Sequence, residues 1–183
     1  MDIQIIPAWP EDYTIVQNLT QYYIYDFSEF MGWDPSPEGL FGGCDELPQY
    51  WGWDVENEQL RWPKDWVGYP FIIRVDGVLA GFAMIRRLGA GEPPTYEVGE
   101  FFVLRRFRRH GVGKTVAQRL FDRFRGNWVV KQMYDNTPAR DFWHRTIDEY
   151  TGGKFEEFLE YDEVYELRMA GQRFSNSLGS MKV

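Results

Sequence analysis

A basic, glycine-containing stretch constrains this chain more than any other feature. It runs from Val103 to Lys114 and reads VLRRFRRHGVGK. The apolar run Phe101–Leu104 predicts a strand, and the pattern after Gly111 predicts a helix. The first N–H groups of a helix lack intrahelical partners, its dipole favours an anion, and glycines let a ligand approach the backbone. The stretch therefore predicts a polyphosphate site where a strand turns into a helix.

Two common nucleotide-binding motifs fail on individual residues of this stretch. The dinucleotide fingerprint needs a third glycine where Val116 stands. A P-loop ends in Gly-Lys-Ser/Thr, which Gly113-Lys114-Thr115 matches, but its first glycine would fall at Arg108. Neither motif describes the chain.

Charge is distributed unevenly along the 183 residues, whose net charge is −8. Residues 1–70 carry 13 acidic and 2 basic side chains, a net charge of −11, whereas residues 71–183 carry 15 acidic and 18 basic ones, a net charge of +3. This asymmetry indicates an anionic ligand at the basic loop and either a cationic partner or a solvated acidic surface in the first part. A pI near 4.8 argues against a nucleic-acid binder.

The composition also bears on metal sites and on the cellular location of the protein. The lone Cys44 excludes an internal disulfide and a cysteine-based metal cluster, and two scattered histidines, His110 and His144, do not suggest a metal site. No apolar run approaches the roughly 20 residues of a membrane helix. The start of the chain lacks the pattern of a signal peptide, so we expect a cytoplasmic protein that does not bind membranes. A homodimer is left open.

The hydrophobic pattern predicts the element order β-α-(lid)-β-β-β-α-β-α-β-β. The lid is residues 32–69, an irregular segment rich in Trp and acid. Long irregular segments are typical of binding loops, although an aromatic-pinned surface loop is the alternative. The expected elements are a strand at Ile3–Ile6, a helix from Glu11 to Phe30, a turn at Leu47–Trp51, strands at 71–75, 78–87 and 95–104, a helix at 111–125, a strand at 128–133, a helix starting at Asn136, and strands at 155–161 and 164–169. We expect one domain at residues 1–170 and a loose polar tail at 171–183.

This order resembles the GNAT superfamily of acyl-CoA-dependent N-acyltransferases. The family's coenzyme loop, Gln/Arg-x-x-Gly-x-Gly/Ala, is matched by Arg108-Arg109-His110-Gly111-Val112-Gly113. A second family pattern, Asn-x-x-Ala-x-x-Phe-aromatic, is matched from Asn136 to Trp143. The resemblance covers 70–169 well. It implies an α/β (α+β) fold with a mixed, mostly antiparallel sheet of six to seven strands, flanked by helices.

The resemblance implies that acetyl-CoA is the acyl donor, without a metal. Its diphosphate would bind the loop amides, and Lys114 or Arg106 would reach the 3′-phosphate. The pantetheine arm would pair with the preceding strand, where a backbone N–H near Val103 would stabilise developing oxyanion charge. Asn136 would bond the arm or act only as a helix cap, and Trp143 would pack against the coenzyme. The implied coenzyme contacts are Phe102, Val103, Leu104, Arg108, Arg109, His110, Gly111, Val112, Gly113, Lys114, Asn136 and Trp143.

The reaction also needs a base and an acid. Glu97 and Glu100 lie on the strand before the loop, and Glu97 falls where some family members carry a catalytic Glu, so we prefer it slightly. In a regular strand the two carboxylates face opposite sides, although a bulge would alter that. Many family members have a Tyr acid where this chain has Trp143. Tyr134 is the substitute candidate, and the alternatives are that solvent supplies the proton or that the general-acid step is absent.

The acceptor is expected between the first helix and the lid on one side and the fourth and fifth strands on the other. Acidic and aromatic side chains together suit a cationic amine, and the helix offers Tyr22, Tyr25, Asp26 and Glu29. The predicted function is an N-acetyltransferase that acts by direct attack in a ternary complex on a cationic small-molecule or protein amine. The alternative is a non-catalytic acyl-CoA-binding or regulatory module on the same fold, since the expected Tyr is missing.

Overall fold

The computed structural model describes residues 1–42, 47–54, 59–60 and 66–177. The chain forms two compact units. Unit 1 contains Met1–Arg86 and Glu100–Val112, and unit 2 contains Arg87–Gly99 and the chain from Gly113 onward.

The observed elements follow the predicted order. Three short 3-10 turns accompany them, at Pro10–Asp12, Leu47–Trp51 and Arg105–Phe107. In chain order, the helices and strands are β1 (Ile3–Pro7), α1 (Tyr13–Met31), β2 (Trp53–Asp54), β3 (Gln59–Leu60), β4 (Trp66–Val75), β5 (Val78–Leu88), β6 (Thr95–Val103), α2 (Val112–Arg123), β7 (Asn127–Met133), α3 (Thr137–Thr151), β8 (Glu156–Asp162) and β9 (Leu167–Ser175).

Seven strands form a mixed sheet in the order β1-β4-β5-β6-β7-β9-β8, which confirms the predicted fold class. Strand β1 is antiparallel to β4, and β9 is antiparallel to both β7 and β8. Strands β6 and β7 are parallel, and their pairing runs from Thr95 opposite Asn127 to Val98 opposite Val130. Both strands continue past this pairing, β6 to Val103 and β7 to Met133. Strands β2 and β3 pair separately.

The β4–β5 hairpin forms at the predicted turn. Asp76 and Gly77 both have positive φ, 49° and 77°, which matches a two-residue turn suited to the twist of paired strands. Strand β4 begins at Trp66, five residues before the predicted start. Residues 66–69 were expected in the lid, so that boundary is wrong. Within this extension, Gly68 packs directly against the backbone of Tyr50.

The core of unit 1 includes part of the predicted lid. Leu47 and Tyr50, on the confirmed turn, are buried with Val16 and Leu19 of α1 and Phe82 of β5. Fully burying such side chains is worth about 1.5–3 kcal/mol each, so this turn contributes to the packed core. Asp45, Glu46, Glu56, Glu58 and Trp62 of the predicted lid lie outside the described residues.

Unit 2 has an aromatic core on α2 and the strands behind it. Val116, Leu120 and Phe121 of α2 are buried, and Phe124 is half-buried. Trp128 of β7 lies 4.8 Å from the ring of Phe121 and stacks on Phe174 of β9 with an interplanar angle of 9°.

The predicted tail is wrong at its start. Residues Gly171–Ser175 belong to β9 and pair with β7 from Lys131 to Asn127. Asn176 then bonds the C-terminal end of α2, where its Oδ1 accepts from the Gly126 N–H at 2.8 Å. These partners lie 40 to 50 residues away, so a local pattern could not indicate them. Residues 178–183 lie outside the described part of the chain.

Candidate active site

The basic stretch forms a loop that leads into α2. After the turn at Arg105–Phe107, Arg109 and Gly111 take positive φ of 63° and 78°. Arg109, His110 and Gly111 are exposed, and a Cβ built on Gly111 meets nothing within 4 Å. Helix α2 starts at once, at Val112. The outer face of this loop is therefore open, with the N–H groups of the first turn of α2 beside it.

Arg108 is held inside unit 1. Its Nε donates to the Val103 carbonyl at 2.6 Å, and its Nη2 donates to Asp26 Oδ2. Its guanidinium carbon lies 5.4 Å from the ring centroid of Phe102. The side chain therefore connects the end of β6 with α1, and it is committed to partners within the protein.

Asp26 was expected to bind the acceptor, but both of its carboxylate oxygens accept from arginines. Oδ1 accepts from Arg105 Nη2 at 2.7 Å and from Arg105 Nε at 3.2 Å, and Oδ2 accepts from Arg108. The hydrogen bond to Asp26, followed by its Coulomb attraction, raises the pKa of Arg105. The charge of Asp26 is thus neutralised within the fold.

Lys114 in α2 pairs with Glu149 in α3. Its Nζ lies 3.0 Å from both carboxylate oxygens. The two side chains are 44% and 57% exposed, so the pair is a surface ion pair that a ligand can displace at little cost.

The end of β6 packs closely against β5. Phe102 and Val103 are buried, and the Leu104 N–H donates to the Ala80 carbonyl at 2.8 Å. A Cβ on Gly81 would lie 2.0 Å from the Phe102 carbonyl oxygen. Only glycine allows this approach, which fixes the course of the strand before the loop.

Glu100 lies on β6 in unit 1 and is partly exposed. It accepts a hydrogen bond from the hydroxyl of Tyr23 on α1 at 2.5 Å. Tyr23 in turn packs on Phe27, one helical turn further along α1, with a centroid distance of 4.6 Å.

Glu97 lies on β6 in unit 2 and is only 7% exposed. Lys131 Nζ of β7 lies 3.1 Å from Glu97 and 3.1 Å from Glu160 of β8. Burial opposes the charged form of Lys131, but the attraction and hydrogen bonds of the two carboxylates outweigh it and raise its pKa. Glu97 is therefore part of a structural ion-pair network in unit 2.

Tyr134 follows β7, and its ring lies between two cations. The guanidinium carbons of Arg140 and Arg168 lie 4.4 Å and 4.2 Å from the ring centroid. Tyr134 also lines a cavity of about 600 Å³ within unit 2, between α3 and the β8–β9 hairpin. The side chain is thus firmly oriented and borders an open volume.

The second family pattern lies at the start of α3. Asn136 is the N-cap, and its Oδ1 accepts from the Ala139 N–H at 3.1 Å. In the described part of the chain, its Nδ2 has no hydrogen-bond partner. Trp143 is 6% exposed and packs edge-on against Phe142. Asn136 therefore caps the helix while keeping a donor, and Trp143 is a core residue.

The remaining acceptor candidates on α1 are exposed. Tyr22 and Tyr25 have exposed fractions of 58% and 56%, and Glu29 is exposed as well. The guanidinium of Arg105 lies 5.9 Å from the Tyr25 ring.

The sequence indicated no polar partner for Tyr23 or Arg105. Their polar partners, Glu100 and Asp26, are 77 and 79 residues away along the chain. No local signal could have indicated these pairs.

Comparisons with known proteins bear on the family and the fold of this chain. A family model described as "Acetyltransferase (GNAT) family" matches residues 25–147. A search of curated protein sequences found no match. In the part of the chain that the structure describes, no helix combines the length and apolarity that a membrane crossing requires.

Similar solved structures cover nearly all of the chain at low identity. The ribosomal-protein-S18-alanine N-acetyltransferase from Escherichia coli has a TM-score of 0.58 at 12% identity, over 100% of this chain and 99% of its own. The paia N-acetyltransferase from Thermoplasma acidophilum, in complex with coenzyme A, has a TM-score of 0.55 at 12% identity, over 95% and 100%. A spermidine N-acetyltransferase SpeG chimera from Vibrio cholerae and hSSAT has a TM-score of 0.58 at 12% identity, over 96% of each chain. At such identities these likenesses show the fold, but the family model covers well over half of the 183 residues, and the chain therefore belongs to the acetyltransferase (GNAT) family and is an acyltransferase.

Proposed function

We propose that the protein transfers an acetyl group from acetyl-CoA to a primary amine by direct attack within a ternary complex. The observation that carries this proposal is the open loop before α2, with positive φ at Arg109 and Gly111 and space in front of Gly111. Backbone N–H groups at a helix start suit a diphosphate. The exposed Arg109 and His110 and the displaceable Lys114 add donors around it.

The arm of acetyl-CoA is proposed to follow the end of β6. Phe102, Val103 and Leu104 would contribute mainly backbone groups, since the side chains of Phe102 and Val103 are buried. The Asn136 Nδ2 is the proposed donor to an amide of the arm. Trp143 would act by packing under the site rather than by moving a proton, since it is buried and indole is not acidic.

Glu100 is the proposed general base. It is partly exposed and bonded to α1, the helix that carries the acceptor candidates. Glu97, initially preferred, is buried and bonded to Lys131, so that removing its charge would leave that cation with one carboxylate fewer. In the proposed reaction Glu100 takes a proton from the amine, whose nitrogen bonds the acetyl carbon while the carbon–sulfur bond breaks.

Tyr134 is the proposed donor of the proton that the departing thiolate takes up. Its ring is oriented by Arg140 and Arg168, and it borders an open cavity.

A cationic amine is the proposed acceptor. Residues 1–70 have a net charge of −11, and Tyr22, Tyr25 and Glu29 are exposed on α1. Asp26 is left out of this role because arginines occupy both of its oxygens. Spermidine and the alanine of ribosomal protein S18, which the names of two similar structures give, are suitable first acceptors to test.

The test combines coenzyme binding with turnover. Thermal shift and calorimetry would measure the binding of coenzyme A, and thiol release from acetyl-CoA would report transfer to cationic, neutral and anionic amines. Gly111→Asp should abolish binding because it places a carboxylate in the diphosphate position. Gly89→Asp is the matched control, since Gly89 also has positive φ, 57°, and open space around its Cβ.

Each outcome decides one part of the proposal. If Gly111→Asp and Gly89→Asp bind coenzyme A equally well, the proposed coenzyme site is refuted. Binding without turnover on any amine would instead favour a non-catalytic acyl-CoA-binding module, the reading that the buried Trp143 favours. Preference for neutral or anionic amines would reject the cationic acceptor alone.

A further inference from the structure

Asp26 connects α1 to both ends of the turn that opens the basic loop. Arg105 and Arg108 lie three residues apart, at the start of the turn and directly after it. One carboxylate oxygen serves each arginine. A single side chain of α1 thus holds two points of the loop.

Arg108 extends this connection to the preceding strand. Its Nε donates to the Val103 carbonyl at 2.6 Å while its Nη2 binds Asp26. Val103 is the last residue of β6 and is buried. Arg108 therefore connects the loop both to the end of β6 and to α1.

The burial of the side chains indicates which ion pair of Asp26, with Arg105 or with Arg108, holds the loop more strongly. The Asp26 side chain is 18% exposed, and those of Arg108 and Arg105 are 37% and 70% exposed. Screening by solvent weakens the Arg105 pair more than the Arg108 pair. Loss of Asp26 would leave a partly buried guanidinium without its carboxylate, and Arg108 would then turn toward solvent.

We propose that Asp26 is a positioning residue that, through Arg108 and with support from Arg105, fixes the loop Arg105–Gly113 in the conformation that presents its N–H groups to the diphosphate of acetyl-CoA. This inference rests on the proposed coenzyme site. It replaces the acceptor-binding role that the sequence predicted for Asp26. Asp26 does not touch the coenzyme and acts through the loop.

The first experiment measures loop order without any ligand. The Phe107 N–H donates to the Leu104 carbonyl at 2.9 Å, and the Arg108 N–H donates to the Arg105 carbonyl at 3.2 Å. In Asp26→Ala, hydrogen exchange of these two amides should accelerate about ten-fold or more, while exchange in the α3 segment stays unchanged. Unchanged exchange at Phe107 and Arg108 in a folded variant overturns the proposal, whether or not coenzyme A binds.

The second experiment separates coenzyme from acceptor. Asp26→Ala should raise the coenzyme A Kd and the KM for acetyl-CoA by about ten-fold, with the amine KM changed less than about two-fold. Asp26→Asn keeps one acceptor oxygen and should lie between the wild type and Asp26→Ala. A rise confined to the amine KM would overturn the proposal, because Asp26 would then act on the acceptor.

A double-mutant cycle identifies the route through Arg108. If the two residues act as one device, Asp26→Ala/Arg108→Ala should bind coenzyme A no more weakly than Arg108→Ala alone. Fully additive losses would overturn the proposal. Glu11→Ala is the charge control, since Glu11 is an exposed acid in the turn before α1, fifteen residues before Asp26, and should leave the Kd unchanged. If the wild type itself fails to bind coenzyme A, the proposed function fails, and the exchange result still decides whether Asp26 positions the loop.

Discussion

The side-chain amide of Asn176 donates to the Phe121 carbonyl at 2.6 Å, near the C-terminal end of α2. The same side chain accepts from the Gly126 N–H and donates to the Tyr150 hydroxyl. The last carbonyls of a helix have no intrahelical partner, so Asn176 satisfies groups that would otherwise be unpaired. It thereby attaches the end of β9 to both helices of unit 2.

Asn176→Ala should therefore lower the free energy of unfolding by about 1–3 kcal/mol. Urea denaturation followed by tryptophan fluorescence would measure the change, since Trp128 lies in the same unit. Asn18→Ala removes an exposed asparagine from α1 and should change stability by less than about 0.5 kcal/mol. Equal effects of the two substitutions would contradict the role of Asn176.

Local patterns predicted most of the secondary structure. Helices α1, α2 and α3 carry apolar residues at helical spacing and end or begin at Gly32, Gly111, Asn136 and Gly152, so periodicity and capping residues define them. The β4–β5 hairpin was predictable because Asp76-Gly77 favours a positive-φ turn. The end of β9 was not, since Gly171–Ser175 has no alternating pattern and is a strand because β7 and β8 lie on either side.

The same distinction between local patterns and distant partners applies to the candidate site. The loop before α2 was predictable from a contiguous motif. The partners of its charged side chains were not, because Asp26 and Arg108 are 82 residues apart and Glu97 meets Lys131 across two strands. A charge count can indicate an acidic region, but it cannot show which carboxylates are already paired within the fold. Because of this pairing, we propose loop positioning rather than acceptor binding for Asp26, and Glu100 rather than Glu97 as the base.

Glu100→Gln should reduce kcat about 10²–10⁴-fold, because glutamine cannot accept the proton of the amine. It keeps an oxygen that accepts from the Tyr23 hydroxyl, so stability should change little. Glu97→Gln should instead change kcat little and mainly lower the stability of the fold, since it weakens the bond to Lys131. Steady-state kinetics and thermal melts on both variants make the comparison. Normal kcat in Glu100→Gln beside a large loss in Glu97→Gln would reverse the assignment.

Tyr134→Phe should lower kcat with little change in the acetyl-CoA KM. Phenylalanine keeps a ring between Arg140 and Arg168, so a loss reports the hydroxyl proton rather than packing. If Tyr134 protonates the departing thiolate, kcat should fall about 10²-fold or more. Tyr161→Phe, at an exposed position on β8, is the control. Wild-type kcat in Tyr134→Phe would indicate that solvent protonates the thiolate.

The Glu97–Lys131–Glu160 network should make stability depend on alkaline pH. The two carboxylates raise the pKa of Lys131 in the folded protein despite its partial burial. A group whose folded pKa exceeds its unfolded pKa contributes fully below the unfolded value, about 10.4 for lysine, and loses that contribution as pH rises through the folded pKa. Unfolding free energy measured from pH 8 to pH 11.5 should therefore fall at the alkaline end in the wild type. Lys131→Met should be less stable at pH 8 and show a smaller alkaline decline. Identical slopes in the two proteins would mean that Lys131 is not the group responsible.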